Sequence, residues 1–180
     1  MQATFVAGFL FKIIMQLKAG TILISAPSLT DPHFEKAVIL LVEYNEQGAL
    51  GFVINKIFPK VFNELVEFKE APAFPLLDGG PVENESLYFI HSRPADIDGG
   101  VQVKDDLYYG GNFTKAVELM KQHRISTNEL KLLIGYCGWD AGELDAEIAE
   151  GSWLVTPADI RIIFTQPAND MWNQLYQAFH

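Results

Sequence analysis

The residues best suited to chemistry lie in three short segments, and the first of these is Asp78-Gly79-Gly80. Paired glycines let the backbone turn its N–H groups toward one point, which can make a nest that binds an anion. These glycines match neither a P-loop nor a dinucleotide fingerprint, because no Lys-Ser or Lys-Thr pair follows them and no helix opens behind them. We therefore favour a tight turn beside a strand, with anion binding as the alternative.

The second segment places His91 and Arg93 at the end of a predicted strand. A histidine there could act as a base, and an arginine could clamp an anion. No acidic residue is spaced to complete a triad with His91, so a structural hydrogen-bonding role is favoured. If folding gathers both residues with Asn55 and the 78–80 turn, they would line a pocket for a small anion, a small molecule or a hydrolase substrate.

The third segment, residues 135–148, contains the single cysteine, Cys137. A nucleophilic cysteine needs a base or a positive charge that favours its thiolate, whereas the charged residues that follow Cys137 in this segment are all acidic. We predict that Cys137 is a small core residue. Tyr136 and Trp139 are predicted to add apolar area to a surface that binds a ligand or a partner.

The sequence indicates no metal or cofactor site. Glu143 and Glu147 lie four residues apart on one predicted helical face, but no further oxygen ligands surround them as in a calcium loop. A solvated helix face is therefore favoured there. The four histidines are scattered, and neither a His-Glu-x-x-His pattern nor a Gly-x-Ser-x-Gly elbow occurs. We predict no catalytic residue, no metal and no cofactor.

The charge balance argues against direct contact with nucleic acid. The chain has 13 basic and 23 acidic residues, which give a net charge of −10. A field of that sign repels phosphate backbones, and no basic patch stands out to override it. One cysteine cannot form an internal disulfide, which is consistent with a reducing cytoplasm.

The N-terminal stretch is apolar but shorter than the ~20 apolar residues that a membrane span needs. It also lacks the basic start and the small-residue cleavage site of a signal peptide. We interpret residues 1–14 as an extension upstream of a native start at Met15, so that residues 15–180 form one domain. The alternative is a helix packed on that domain, because Phe5 and Phe9 recur at helical spacing.

The elements that must position these residues follow one another without a steady βαβ alternation. Strands are predicted at 21–26, 37–44, 49–54, 86–91, 101–103, 131–137 and 153–155, and helices at 61–68, 112–124, 141–150 and 169–179. The second and third strands form a hairpin. Pro157 is expected at the first position of a further helix. This mixture predicts a single α+β domain.

Four stretches, taken in order, resemble the signature motifs of the YqgE/AlgH family of bacterial proteins: ILISAPSLTDPHFEKAVILL, NEQGALGFVINK, LLDGGPV and GYCGWDAGELDAEIAEGSWL. The resemblance implies a cytosolic protein with a coiled, bifurcated and mostly antiparallel sheet flanked by several helices. It implies no reaction and no catalytic residues, although one branch is described as a transcriptional regulator of exopolysaccharide synthesis. The family usually has an Ala-like residue at Cys137, and Gly and Gln near Asp140 and Glu143, which weakens a thiol mechanism or a cation site.

Three functional hypotheses follow, of which a non-enzymatic regulatory or protein-interaction module is favoured. Its partner would be another protein, because the catalytic constellations are missing and the motifs are rich in Gly, Pro and aromatic residues. The alternative is a small-molecule binder or hydrolase that uses Gly79, Gly80, His91 and Arg93. Direct DNA binding comes third, since the net charge of −10 opposes it.

Overall fold

The computed structural model of this chain describes residues 16–179. The predictions of an N-terminal extension, of a start at Met15 and of an alternative N-terminal helix fall outside these residues. The strands are β1 (Thr21–Ser25), β2 (Val38–Asn45), β3 (Gly48–Val53), β4 (Ile57–Val61), β5 (Pro75–Asp78), β6 (Val82–His91), β7 (Val101–Lys104), β8 (Leu107–Tyr109), β9 (Leu130–Asp140) and β10 (Trp153–Pro157). The helices are α1 (Phe113–Lys121), α2 (Glu143–Ala149), α3 (Ile160–Thr165) and α4 (Ala168–Gln177), and 3₁₀ turns cover Phe62–Glu64 and Val66–Phe68.

The strands form one sheet in the order β10-β1-β2-β3-β9-β6-β8-β7, and each pairing along this path is antiparallel. The sheet branches at β9, which pairs with β5 in parallel near its start and with β3 near its end. The sheet curls into a half-barrel. Lys104 Nζ in β7 donates a 2.8 Å hydrogen bond to the carbonyl oxygen of Ala158, directly after β10, and so links the two ends of the curl.

Apolar side chains fill both faces of this curled sheet. The concave interior is filled by α3 and α4, through Ile163, Phe164, Met171 and Trp172. Outside the curl, α1 packs against β5, β6 and β9, and α2 packs against β1, β2 and β3. These contacts form three apolar clusters, one inside the curl and two outside it. Because burial of apolar surface contributes about 25 cal/mol per Å², the three clusters supply most of the stabilisation of the fold.

The predicted α+β class and the coiled, mostly antiparallel sheet are confirmed, although strands predominate over helices. The hairpin is also confirmed, since β2 and β3 pair from Ile39 opposite Val53 to Asn45 opposite Gly48. Among the described residues, every helix is too short or too polar to cross a lipid bilayer.

Two local predictions are wrong. The helix expected over residues 61–68 is instead two 3₁₀ turns, because Leu65 between them has an extended backbone with φ −74° and ψ 134°. Pro157 ends β10 and does not open a helix. The cap of α3 is Asp159, whose side chain accepts a 2.9 Å hydrogen bond from the backbone N–H of Arg161.

Candidate functional site

The glycine pair at the predicted nest lies at the fork of the sheet. Gly79 donates its N–H to the carbonyl oxygen of Ile134 at 2.7 Å, and its own carbonyl accepts from the backbone N–H of Val53 at 2.9 Å. A Cβ on Gly80 would overlap the carbonyl group of Tyr136, and the backbone of Gly80 has a φ of 150°. The pair therefore lets three backbone segments approach closely, and the N–H of Gly79 is used inside the sheet.

Asn55 and Asp78 lie beside this fork. The amide of Asn55 pins the loop before β2, because its Oδ1 accepts from the N–H of Val38 and its Nδ2 donates to the carbonyl of Lys36, both at 2.8 Å. Asp78 is partly buried at the end of β5, and its N–H donates to the carbonyl of Lys56 at 2.8 Å. Both residues thus brace the connections around β3.

His91 is fully buried, and both of its ring nitrogens are hydrogen-bonded. Nδ1 accepts from the backbone N–H of Arg93 at 3.1 Å, which leaves the ring proton on Nε2, 3.0 Å from the carbonyl oxygen of Gly110. The ring also stacks on Phe89 and Tyr108. Burial lowers the pKa of His91, and the hydrogen bond to Gly110 only partly opposes this shift. The arrangement supports the structural role favoured from the sequence.

The guanidinium of Arg93 is bonded within the protein. Its Nε lies 2.8 Å from Asp96 Oδ2, and its Nη1 lies 2.9 Å from Glu129 Oε1 and 3.0 Å from the carbonyl oxygen of Arg124. The hydrogen bond to Asp96 is the largest cause of the raised pKa of Arg93. Arg93 therefore ties the end of β6 to the connection between α1 and β9.

Cys137 is a core residue, as predicted. It is 1% exposed, and its Sγ lies 3.6 Å from the carbonyl oxygen of Gly79. Burial raises the pKa of this thiol to about 12, and the charge of Asp78 adds to the shift, while a backbone hydrogen bond at Val53 only partly opposes it. A thiol in this state supplies almost no thiolate at neutral pH.

Trp139 lies on the outer face of β9, where α2 covers it. Its Nε1 donates to Glu147 Oε2 at 2.7 Å, and Trp153 Nε1 donates to the same oxygen at 3.0 Å. Glu143 takes no part in these two bonds, because its Oε2 accepts from the backbone N–H of Asp140 at 2.9 Å. The interpretation of a solvated helix face therefore fits the exposed Glu143, but not the partly buried Glu147.

Tyr136 faces the interior because the backbone of β9 changes its pleat just before it. Leu133 points into the interior, so strict alternation would put residues 135 and 137 there as well. Gly135 has a φ of 75°, a conformation that L side chains rarely adopt, and its Cβ position is blocked by the carbonyl oxygen of Gly80. After it, Tyr136 packs on the interior cluster and Cys137 packs on the outer one.

Tyr136 belongs to a group of three partly buried tyrosines on the concave face, which we call the tyrosine cluster: Tyr88, Tyr109 and Tyr136. The rings of Tyr88 and Tyr136 meet edge to face with centroids 5.8 Å apart. Phe52 lies beneath them, 5.5 Å from Tyr88 and 5.6 Å from Tyr109. Aromatic contacts of this kind favour particular ring orientations, and part of each tyrosine remains exposed to solvent.

The hydroxyl of Tyr88 donates a hydrogen bond to Glu83 Oε2. Burial first, and this carboxylate second, raise the pKa of Tyr88 to about 12. Glu83 reaches the tyrosine through a bulge, because the β6–β9 register shifts between Val82 and Leu87 and Glu83 has a φ of 45°. The bulge in the exposed part of β6 thus places the Glu83 carboxylate beside the ring of Tyr88.

The eight candidate residues do not converge on one pocket. His91 and Arg93 lie at the end of β6, Tyr136 lies on the concave face, and Trp139 lies on the opposite face of β9. A mainly apolar cleft of about 300 Å³, bounded by residues of β1, β10, α3 and α4, contains none of the eight. Within residues 16–179, no group of three or more His, Cys, Asp or Glu side chains is placed to hold a metal ion.

The sequence reasoning missed Tyr88, Tyr109 and Glu83. Tyr88 and Ile90 alternate on the inner face of β6, and Tyr109 lies directly opposite Ile90 in β8. The period of two in residues 86–91 was the available signal for Tyr88. The position of Glu83 depends on the bulge, which no sequence period indicates.

Comparison with known proteins places the chain in context. A family model described as AlgH-like matches residues 22–180. A UPF0301 protein of Chlorobium limicola is 36% identical over 160 residues, which cover 88% of this chain and 85% of that protein. A UPF0301 protein of Bacteroides thetaiotaomicron is 34% identical over 156 residues, which cover 86% and 79% of the two chains.

Two solved structures share the fold. The solution structure of the AlgH protein from Pseudomonas aeruginosa matches with a TM-score of 0.71 and 28% identity, over 91% of this chain and 90% of that one. The crystal structure of DIP2367 from Corynebacterium diphtheriae matches with a TM-score of 0.76 and 23% identity, over 94% and 92%. Since the family model spans most of the sequence and the bacterial relatives exceed 30% identity, the chain belongs to the AlgH-like family.

Proposed function

We propose that this protein is a non-enzymatic interaction module with a regulatory role in the bacterial cytoplasm, and that its partner is another protein. The observation that carries the proposal is the state of the side chains best suited to chemistry. Both nitrogens of His91 are hydrogen-bonded to backbone groups, Arg93 is bonded on several of its nitrogens, and the buried thiol of Cys137 has a pKa of about 12. These groups hold the fold together.

The tyrosine cluster supports a binding role at a defined place. It is partly exposed, it lies on a concave surface, and it includes Tyr136, which the sequence predicts to be part of a partner surface. Tyrosine is enriched in protein interfaces because its large, rigid ring loses little conformational entropy on binding and its hydroxyl can still hydrogen-bond. We therefore place the contact surface on this cluster.

The remaining hypotheses have less support. A small-molecule or hydrolase site at Gly79, His91 and Arg93 would require these groups to give up bonds that now join strands and loops. Direct binding of DNA is opposed by the net charge of −10. A cytoplasmic location is proposed because the single cysteine is buried and unpaired, which suits a reducing compartment.

Affinity capture tests the proposal. The full chain is immobilised and exposed to bacterial lysate from several growth conditions, beside Tyr109→Ala in the cluster and Tyr44→Ala on the outer face. We expect a stoichiometric protein partner that the wild type and Tyr44→Ala retain and that Tyr109→Ala loses. Circular dichroism confirms that each variant is folded.

Two results would count against the proposal. If no stoichiometric partner is recovered under any condition, an interaction function is not supported. If Tyr109→Ala retains the partner and Tyr44→Ala loses it, the contact surface lies on the outer face of the sheet.

A further inference from the structure

Two carboxylates flank the tyrosine cluster. Glu83 accepts the hydrogen bond of Tyr88, and Glu43 lies opposite Leu50 in the β2–β3 register, on the side where Leu50 packs against the interior cluster. After burial, the charges of Glu43 and Glu83 are the next largest causes that raise the pKa of Tyr109. Both carboxylates therefore act electrostatically on the same phenol, although they come from different strands.

Both carboxylates lack a cationic partner within the described part of the chain. Glu43 and Glu83 are exposed, and the ion pairs formed among residues 16–179 use other carboxylates. Two negative charges without an ion-pair partner among residues 16–179 thus lie near a partly exposed group of aromatic rings. A cation placed there would gain from the carboxylates and from the rings together, since the face of an aromatic ring attracts positive charge.

Resting on the proposed interaction function, we infer that the tyrosine cluster, with Glu43 and Glu83, binds an arginine side chain from a basic segment of the partner protein. A guanidinium is flat, so it stacks on a tyrosine ring while its edge donates to carboxylates. The ammonium group of lysine carries the same charge, but it is not flat and cannot stack on a ring in this way. The site therefore favours arginine over lysine.

The surrounding surface fits a protein segment and not a free ion. Val82, which is 37% exposed, lies opposite Tyr136 in the β6–β9 register and adds exposed apolar surface near the cluster. Glu85 on the same exposed stretch of β6 adds negative charge. With 23 acidic residues against 13 basic ones in the whole chain, a basic partner is attracted to the protein, and Glu43, Glu83 and Glu85 supply negative charge near the cluster.

A peptide titration tests the inference. The full chain is titrated with a capped peptide that carries one arginine among neutral residues, and the tyrosine ring resonances are followed by NMR. We expect saturable shifts at Tyr88, Tyr109 and Tyr136. The same peptide with citrulline in place of arginine keeps the shape without the charge, and it should bind about tenfold more weakly.

Matched variants assign the binding to this site. The double variant Glu43→Gln/Glu83→Gln should weaken binding of the arginine peptide about tenfold, because two exposed carboxylate contacts are lost. Glu150→Gln changes the same charge at an exposed position after α2, which packs on the opposite face, and it should bind as the wild type does. All three carboxylates are exposed, so the variants are expected to fold.

Several outcomes would overturn the inference: equal binding of the arginine and citrulline peptides, wild-type affinity in the double variant, or shifts confined to other residues. Equal binding of a lysine peptide or of tetramethylammonium would show a general organic-cation site and overturn the assignment to arginine. If lysate capture succeeds and is insensitive to the double variant, this inference fails while the interaction function stands. If the arginine peptide binds selectively but nothing is captured, the inference is supported and the interaction function is the one in question.

Discussion

The indole nitrogen of Trp139 lies 2.7 Å from Glu147 Oε2, so the outer face of β9 is tied to α2, the helix that covers it. The same oxygen accepts from Trp153 Nε1 at 3.0 Å, and the two indole rings meet edge to face. Trp139 is 7% exposed and Trp153 is 2% exposed. One carboxylate therefore satisfies two buried donors and joins β9, β10 and α2.

Replacing that carboxylate is expected to destabilise the fold. Glu147→Leu leaves two buried N–H groups without an acceptor, and we expect a loss of about 2–4 kcal/mol in the free energy of unfolding. Glu147→Gln keeps an amide oxygen in place, so it should lose less. Urea denaturation measures both, with Glu150→Gln as a control expected within about 0.5 kcal/mol of the wild type. Equal stability of Glu147→Leu and the control would refute this account.

The fork of the sheet depends on the glycine at position 80, where the neighbouring backbone leaves no room for a side chain. Gly80→Ala would drive a Cβ into the carbonyl group of Tyr136, whereas a Cβ on Gly151 meets nothing within 4 Å. Both glycines have positive φ, 150° and 86°, so each substitution adds backbone strain, whereas only Gly80→Ala also adds the collision. We expect Gly151→Ala to cost about 1 kcal/mol, and Gly80→Ala to cost at least about 3 kcal/mol or to prevent folding. Matching denaturation curves for the two variants would show that the fork tolerates a side chain.

The thiol of Cys137 should be unreactive in the folded chain. Because burial raises its pKa to about 12, we expect maleimide labelling at pH 8 to be at least ~100-fold slower than in the unfolded chain. The pKa of the Cys137 thiol is higher in the folded chain than the value of about 8.5 in the unfolded chain. The buried thiol therefore contributes to the free energy of unfolding below about pH 8.5, and this contribution is lost as the pH rises toward 12. Labelling as fast in buffer as in guanidinium chloride would contradict the buried placement.

Much of the fold follows from local patterns in the sequence. The continuous apolar run of β2 predicts a strand buried on both faces, and its first five residues are buried. Asn112 and Thr114 are both residue types that favour the start of a helix, and in α1 the cap is Asn112, whose side chain accepts from the N–H of Lys115. By contrast, β4 and β5 contain Pro59 and Pro75, which weaken any strand pattern, and they form because they pair with each other and because β5 also pairs with β9. Such long-range pairing leaves no local signature.

The candidate site was only partly predictable for the same reason. Tyr136 could be selected as an aromatic residue in a glycine-rich segment, but its direction depends on the positive φ of Gly135. The residues that surround Tyr136 depend on the pairing of β6 and β8, which brings Tyr88 and Tyr109 to it from elsewhere in the chain. An isolated histidine favours a structural role for His91, but no local pattern indicates its acceptor, Gly110, which lies 19 residues away.

The buried imidazole of His91 gives the last prediction, a pH dependence of stability. Burial lowers its pKa, so its contribution to stability is present above the unfolded value of about 6.5 and is lost as the pH falls through the folded value. In His91→Gln the amide can still accept from the N–H of Arg93 and donate to Gly110, but it cannot take up a proton. The free energy of unfolding, measured from pH 7.5 to pH 5, should fall more steeply in the wild type and in the exposed control His33→Gln than in His91→Gln. Parallel profiles for all three would mean that His91 does not resist protonation, and the neutral, doubly bonded ring inferred from the structure would have to be abandoned.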